Sequence, residues 1–117
     1  MVDQRLRDVL LRAEGIGEFE GPGTASGSAE HPVCGDRVVL SVLVANAVLR
    51  AVRWRATGCP ASMAIAALAA KVLVDVPVPE AADALRAAIS AHGGLAAHER
   101  HAEGMAQRAL AAALDGI

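Results

Sequence analysis

The sequence predicts an α+β domain in which helices pack on one face of a small antiparallel sheet. Three observations carry this. Residues 37–57 alternate apolar and polar on both sides of a short turn, as a hairpin does. Three segments of helical periodicity follow that hairpin, and one precedes it. Strands and helices are therefore segregated along the chain, the order of helices laid on an antiparallel sheet.

The first element runs from Asp3 to Ala13. Leu6, Val9 and Leu10 recur at helical spacing, with Arg5, Arg7, Asp8 and Arg12 on the opposite side. Gly15 and Gly17 stop it. The stretch Gly21-Pro22-Gly23-Thr24-Ala25-Ser26-Gly27 reads as a loop or a poorly regular strand. Arg37 to Val44 is a strand with Val38, Leu40, Val42 and Val44 on one face, and Arg37 and Ser41 on the other. Ala45-Asn46-Ala47 turns the chain, Asn being tolerant of left-handed backbone. Val48 to Thr57 returns, with Val52, Trp54 and Ala56 on one face and Arg53, Arg55 and Thr57 on a solvated one.

Cys59 to Val74 is a helix apolar nearly all round, the mark of a buried helix. Pro60 suits its first turn, which makes Cys59 the N-cap. Asp75 to Pro79 interrupts. Glu80 to Ala91 is a further helix, with Ala84, Leu85, Ala88 and Ile89 inward, ended by Gly93-Gly94. A last helix starts near Ala97 or His101 and reaches Leu114, carrying Met105, Ala109, Leu110 and Leu114.

Bulk properties narrow the function. At 117 residues the expectation is one domain, residues 1–117, able to bury its own core. The net charge is −2, from 11 basic and 13 acidic residues, which speaks against a phosphate-backbone binder. One Trp, one Phe and no Tyr leave no stacking platform for single-stranded nucleic acid. The apolar run Ala61–Val78 is broken by Lys71 and Asp75 and is too alanine-rich for a membrane span. Met1-Val2-Asp3-Gln4-Arg5 has no apolar signal core, so a cytoplasmic address is expected. In that compartment Cys34 and Cys59 read as free thiols or ligands before they read as a disulfide.

The chemistry gathers at His31-Pro32-Val33-Cys34-Gly35-Asp36 and Thr57-Gly58-Cys59-Pro60. Gly35 lets the backbone bend so that the Cys34 and Asp36 side chains reach one spot. Cys59 sits at a helix N-terminus, whose N–H groups and dipole favour an anionic sulfur. Two sulfurs and a carboxylate leave a tetrahedral metal site one ligand short. His31, His92, His98 and His101 are the candidates to complete it. His101 is the best placed, near the start of the last helix. His31 points away if residues 31–36 are extended, and His98 shares a helix face with His101. The plainer reading, two buried thiols filling a core, stands beside this one.

At these residues the chain resembles the NifU/IscU-type scaffolds of iron–sulfur cluster assembly. The likeness rests on Pro32-Val33-Cys34-Gly35-Asp36, on the hairpin, and on Arg53-Trp54-Arg55-Ala56-Thr57-Gly58-Cys59-Pro60-Ala61-Ser62 opening a small-residue helix. It extends to Leu114. Where the family carries a third cysteine, usually preceded by His in the IscU branch, this chain has Ala102 after His101. Leu95-Ala96-Ala97-His98-Glu99-Arg100 stands where IscU-type scaffolds carry their proline-containing chaperone segment. The resemblance implies an IscU-like fold and a metal site of Cys34, Asp36, Cys59 and His101. It implies a Zn²⁺ ion or a [2Fe–2S] cluster there, with Cys34 and Cys59 accepting sulfur from a cysteine desulfurase, and recipient apo-proteins downstream. The protein is then a scaffold and not an enzyme. Ala102 favours an alternative, a zinc-binding structural or regulatory module that binds a partner and assembles no clusters. A degenerate homologue holding no metal is a third reading.

Overall fold

The architecture is that of a computed structural model, which describes residues 4–12, 15–31 and 35–117, with only the backbone of His98. The elements are α1 (Gln4–Arg12), β1 (Thr24–Glu30), β2 (Arg37–Ala45), β3 (Val48–Thr57), α2 (Pro60–Val72), α3 (Ala81–Ala91) and α4 (Arg100–Asp115). Single 3₁₀ turns, Val78–Glu80 and Ala97–Glu99, lead into α3 and α4. The three strands form one antiparallel sheet in the order β1-β2-β3. Helices α2 and α4 lie on it, α2 mainly against β3 and α4 against β1, while α1 packs on α2 and α3 contacts both α2 and α4.

The hairpin follows its alternation. Val38, Leu40, Val42, Val52 and Trp54 are buried on the helix side. Asn46 and Ala47 both have positive φ, 54° and 60°, the backbone of a two-residue turn matched to the strand twist. Arg53 and Arg55 are exposed, as their alternation predicts.

Two features differ from the sequence reading. The stretch beginning at Gly21 leads into a regular strand, with Thr24 paired to Leu43 and Glu30 to Arg37. Its small residues are those a strand needs beneath a closely packed helix. A Cβ at Gly27 would collide with the backbone of Ala109 and Ala113 in α4. The polar face of the sheet is also not wholly solvated. Residues 15–17 pair beside β3, the Gly17 N–H donating to the Trp54 carbonyl at 2.9 Å. The chain then runs across that face. The Phe19 N–H donates to Ser41 Oγ at 2.9 Å, the Arg53 guanidinium lies 4.4 Å from the Phe19 ring centroid, and Ser41 is fully buried.

Buried α2 residues run almost without interruption from Ala61 to Ala70, so the apolar helix is covered on all sides by its own chain. No helix among the described residues is long and apolar enough to cross a membrane.

Gly27 is thus the contact on which the seat of α4 depends. Gly27→Ala is expected to cost about 1–3 kcal/mol, the range for overpacking a tight interface. Urea unfolding measures it, with exposed Ser28→Ala as the near-neutral control. Equal midpoints for the two variants would contradict the close approach of α4 to β1.

Candidate metal centre

The site forms where the middle strand begins and two helices start. Asp36 immediately precedes β2. Asp36 lies one step beyond the Glu30↔Arg37 and Arg37↔Thr57 pairs, where the His31 N–H donates to its carbonyl and Gly58 lies against it. Gly58 has φ +117°, and a Cβ there would overlap the Asp36 carboxylate. The glycine therefore does two things: it supplies a backbone that L residues avoid, and it leaves the space the carboxylate fills.

Cys59 caps α2 with extended backbone (φ −72°, ψ 154°), followed by Pro60 in the first turn, as the sequence predicts. Its side chain makes no capping bond, so the sulfur is free to turn toward the site. Its N–H donates to Asp36 Oδ1 at 3.2 Å. One turn on, the fully buried Ser62 donates its hydroxyl to Asp36 Oδ2 at 3.2 Å and lies 3.4 Å from Cys59 Sγ. His101, in the first turn of α4, brings Nε2 to 3.6 Å from Cys59 Sγ and 3.3 Å from Asp36 Oδ2.

The ligand atoms of Asp36, Cys59 and His101 all lie within 4.8 Å of one another. Tetrahedral Zn²⁺ with ordinary bond lengths separates a ring nitrogen from a carboxylate oxygen by about 3.3 Å and from a thiolate by about 3.6 Å. The observed 3.3 and 3.6 Å match those spans. One sulfur, one nitrogen and one oxygen at this spacing fit an ion of the zinc or iron kind.

Asp36 is buried, with 4% of its surface exposed. Its carboxyl is nevertheless held below its ordinary value of 3.8. Hydrogen bonding from the Cys59 side chain is the largest cause, opposed by burial and reinforced by His101, the Cys59 N–H and Ser62. The carboxylate is anionic at neutral pH, as a ligand must be.

Of the sequence-predicted set, the fold brings Asp36, Cys59 and His101 together, while Cys34 lies outside the described residues. His92 ends α3 with Nδ1 2.8 Å from the Ala88 carbonyl and is not part of the cluster. The reading of His31 as pointing away rests on an extended 31–36 segment, and that premise fails. The His31 N–H donates to the Asp36 carbonyl at 2.8 Å and the Gly35 N–H to the His31 carbonyl at 2.9 Å, which brings His31 and Asp36 together. The His31 ring packs on His101, centroids 4.8 Å apart at 62°. Ser62 was also not foreseen. Its signal was its spacing, three residues after Cys59 on one helix face. Ala102, beside His101, is fully buried and packs in the core.

The sequence profile of the family described as NifU-like N terminal domain matches residues 7–116. The chain belongs to this family. Two proteins of Archaeoglobus fulgidus, the iron–sulfur cluster assembly scaffold proteins IscU 1 and IscU 2, are each 25% identical to it over 115 residues, covering 97% of this chain and 74% of the relative. The N-terminal part of a nitrogen-fixing NifU-like protein from Brucella abortus superposes with a TM-score of 0.74 at 18% identity, covering 97% of this chain and 91% of that one. A putative iron–sulfur cluster assembly scaffold protein for the SUF system from Fervidobacterium islandicum AW-1 does so with 0.74 at 16%, covering 95% and 94%. The two structures share the α+β fold of this NifU-like domain.

Because native Asp36 holds its proton less tightly than the unfolded chain does, it stabilises the fold above the unfolded value, and that stability is lost as pH falls through the lowered native one. Asp36→Asn is expected to destabilise chelator-treated protein at pH 7, with the gap to the unsubstituted chain closing below about pH 4. Urea unfolding across this range reads it. A gap that does not change with pH contradicts the anionic, hydrogen-bonded Asp36.

Proposed function

We propose that this NifU-like domain is a scaffold of iron–sulfur cluster assembly, which holds a metal ion or a [2Fe–2S] cluster as cargo on Cys34, Asp36, Cys59 and His101. The observation that carries this reading is the convergence of Asp36, Cys59 and His101 at ligand spacing in a fold of this family. The names of the Archaeoglobus fulgidus relatives support it.

In this reading Cys34 and Cys59 take sulfur from a cysteine desulfurase. A thiolate attacks the outer sulfur of the enzyme's persulfide. A new S–S bond forms on the scaffold cysteine, and the desulfurase thiolate leaves. Cys59 stands at the N-terminus of α2, and the His101 imidazole, 3.6 Å from its sulfur, is near enough to take the thiol proton as the attack begins. Asp36 supplies a harder, more exchangeable donor than a thiolate, which suits cargo that is passed to recipient apo-proteins. The chain's own part is to bind and present, and it turns over no substrate of its own.

Ala102 favours a second reading. It buries a methyl group where the family resemblance puts a third cysteine, so the domain can hold zinc for a partner without assembling clusters.

Anaerobic reconstitution with iron and sulfide separates the two. The scaffold reading expects visible sulfur-to-iron charge-transfer bands, reduced by Cys59→Ala and by His101→Ala, and desulfurase turnover raised by the unsubstituted chain. Tight zinc binding with no colour, and a desulfurase indifferent to the protein, would replace the scaffold reading with the zinc module.

A further inference from the structure

We propose that His31 is a further protein ligand of the bound metal, acting as the partner imidazole of His101. The inference deepens the metal-holding reading above and rests on it.

His31 lies opposite Asp36, one step beyond the Glu30↔Arg37 pair, and its N–H donates to the Asp36 carbonyl at 2.8 Å. Directly opposed residues on antiparallel strands send their side chains to the same face, with Cβ atoms about 4.5–5.5 Å apart. That face carries Gly27 and Val38, both buried, and receives α4. The backbone that presents the Asp36 carboxylate therefore presents the His31 imidazole beside it. Gly35, with φ +72°, closes the connection.

Ring geometry points the same way. The centroids of His31 and His101 are 4.8 Å apart and the planes are inclined at 62°. Two imidazoles bound to one tetrahedral ion at ordinary Zn–N lengths have centroids on the order of 5 Å apart. The centroid separation is thus close to that of two rings on a shared ion, and His101 points Nε2 at Cys59 and Asp36, while His31 stands beside the cluster of ligand atoms and joins it by turning its side chain.

Asp36, Cys59 and His101 supply three ligand atoms, and Ala102 supplies none. With His31 rather than Cys34 as the fourth donor to a single ion, the set is one sulfur, two nitrogens and one oxygen, which suits zinc or ferrous iron.

A ring packed on His101 has a plainer role, as a prop that fixes the ligand's orientation. Phe in its place keeps a ring against His101 and removes both nitrogens. The test is Zn²⁺ titration of the ¹⁵N-histidine-labelled full chain, with long-range ¹H–¹⁵N spectra, alongside chelator-competition affinities for His31→Ala and His31→Phe. Ligation predicts metal-induced nitrogen shifts at both His31 and His101. It also predicts that Phe weakens zinc as much as Ala does, at or beyond the upper end of the roughly 10–100-fold loss found on removing a residue that merely supports a ligand. Zinc binding with a His101 shift but none at His31, or with His31→Phe near the unsubstituted affinity, overturns the proposal and leaves the metal-holding reading intact. Failure of the unsubstituted chain to bind zinc overturns both.

Discussion

The buried carboxylate of Asp36 ties the sheet to the helices. A charge taken out of water is costly unless it is hydrogen-bonded on all sides, and this one is. It accepts from the N–H at the start of α2, from Ser62 one turn along and from the ring at the start of α4. Three elements distant in sequence are thereby fixed to one atom pair at the end of the middle strand. Among the described residues no buried side-chain nitrogen or oxygen lacks a partner, so the network is fully satisfied. A polar network of this kind specifies one arrangement of its parts more sharply than apolar packing does.

What lets the helices reach that atom pair is the small size of the residues between. Gly58 leaves room for the carboxylate, and Gly27 lets the α4 backbone approach β1. Buried alanines cover most of α2, and Ala102, Ala106, Ala109 and Ala113 form the inner face of α4. The abundance of alanine, which in the sequence looks like weak hydrophobicity, is the means by which the first turn of α4 and the N-terminus of α2 converge. Ala102 belongs to that inner face.

The parts legible in the sequence were those with local physical signatures. Period-two alternation located the hairpin, and a Pro after Cys59 located the cap of α2. His101 was reachable through its place near a helix start and through the family resemblance. Strand β1 was blurred because Ala25, Gly27 and Ala29 carry no apolar bulk. Their role exists only against α4, which is remote in sequence. The burial of Ser41 depends in the same way on Phe19 crossing the sheet. His31 was misplaced through one assumption about backbone. An extended segment would throw His31 away from Asp36, whereas the hydrogen bond between their backbones holds the two side by side. Pairing across a turn is set by register, and no local propensity at His31 encodes it.

The two oxygens of Asp36 have different tasks, and this bears on how proposed cargo is held and let go. Oδ1 faces the Cys59 N–H, a backbone donor that stays in place as long as α2 does. Oδ2 faces Ser62 Oγ and His101 Nε2. A metal held at Oδ2 and Nε2 would replace the contact between these two atoms, and its departure would let that contact form again. Release would then expose no unpaired buried charge, because the two side chains satisfy one another. The spacing of 3.3 Å between them is close to the span across a tetrahedral ion, so little rearrangement separates the two states. Affinity is then governed by donor chemistry rather than by strain. Fewer thiolates and more nitrogen and oxygen make a harder site, one that gives up soft or cluster-bound metal more readily than a site of three cysteines.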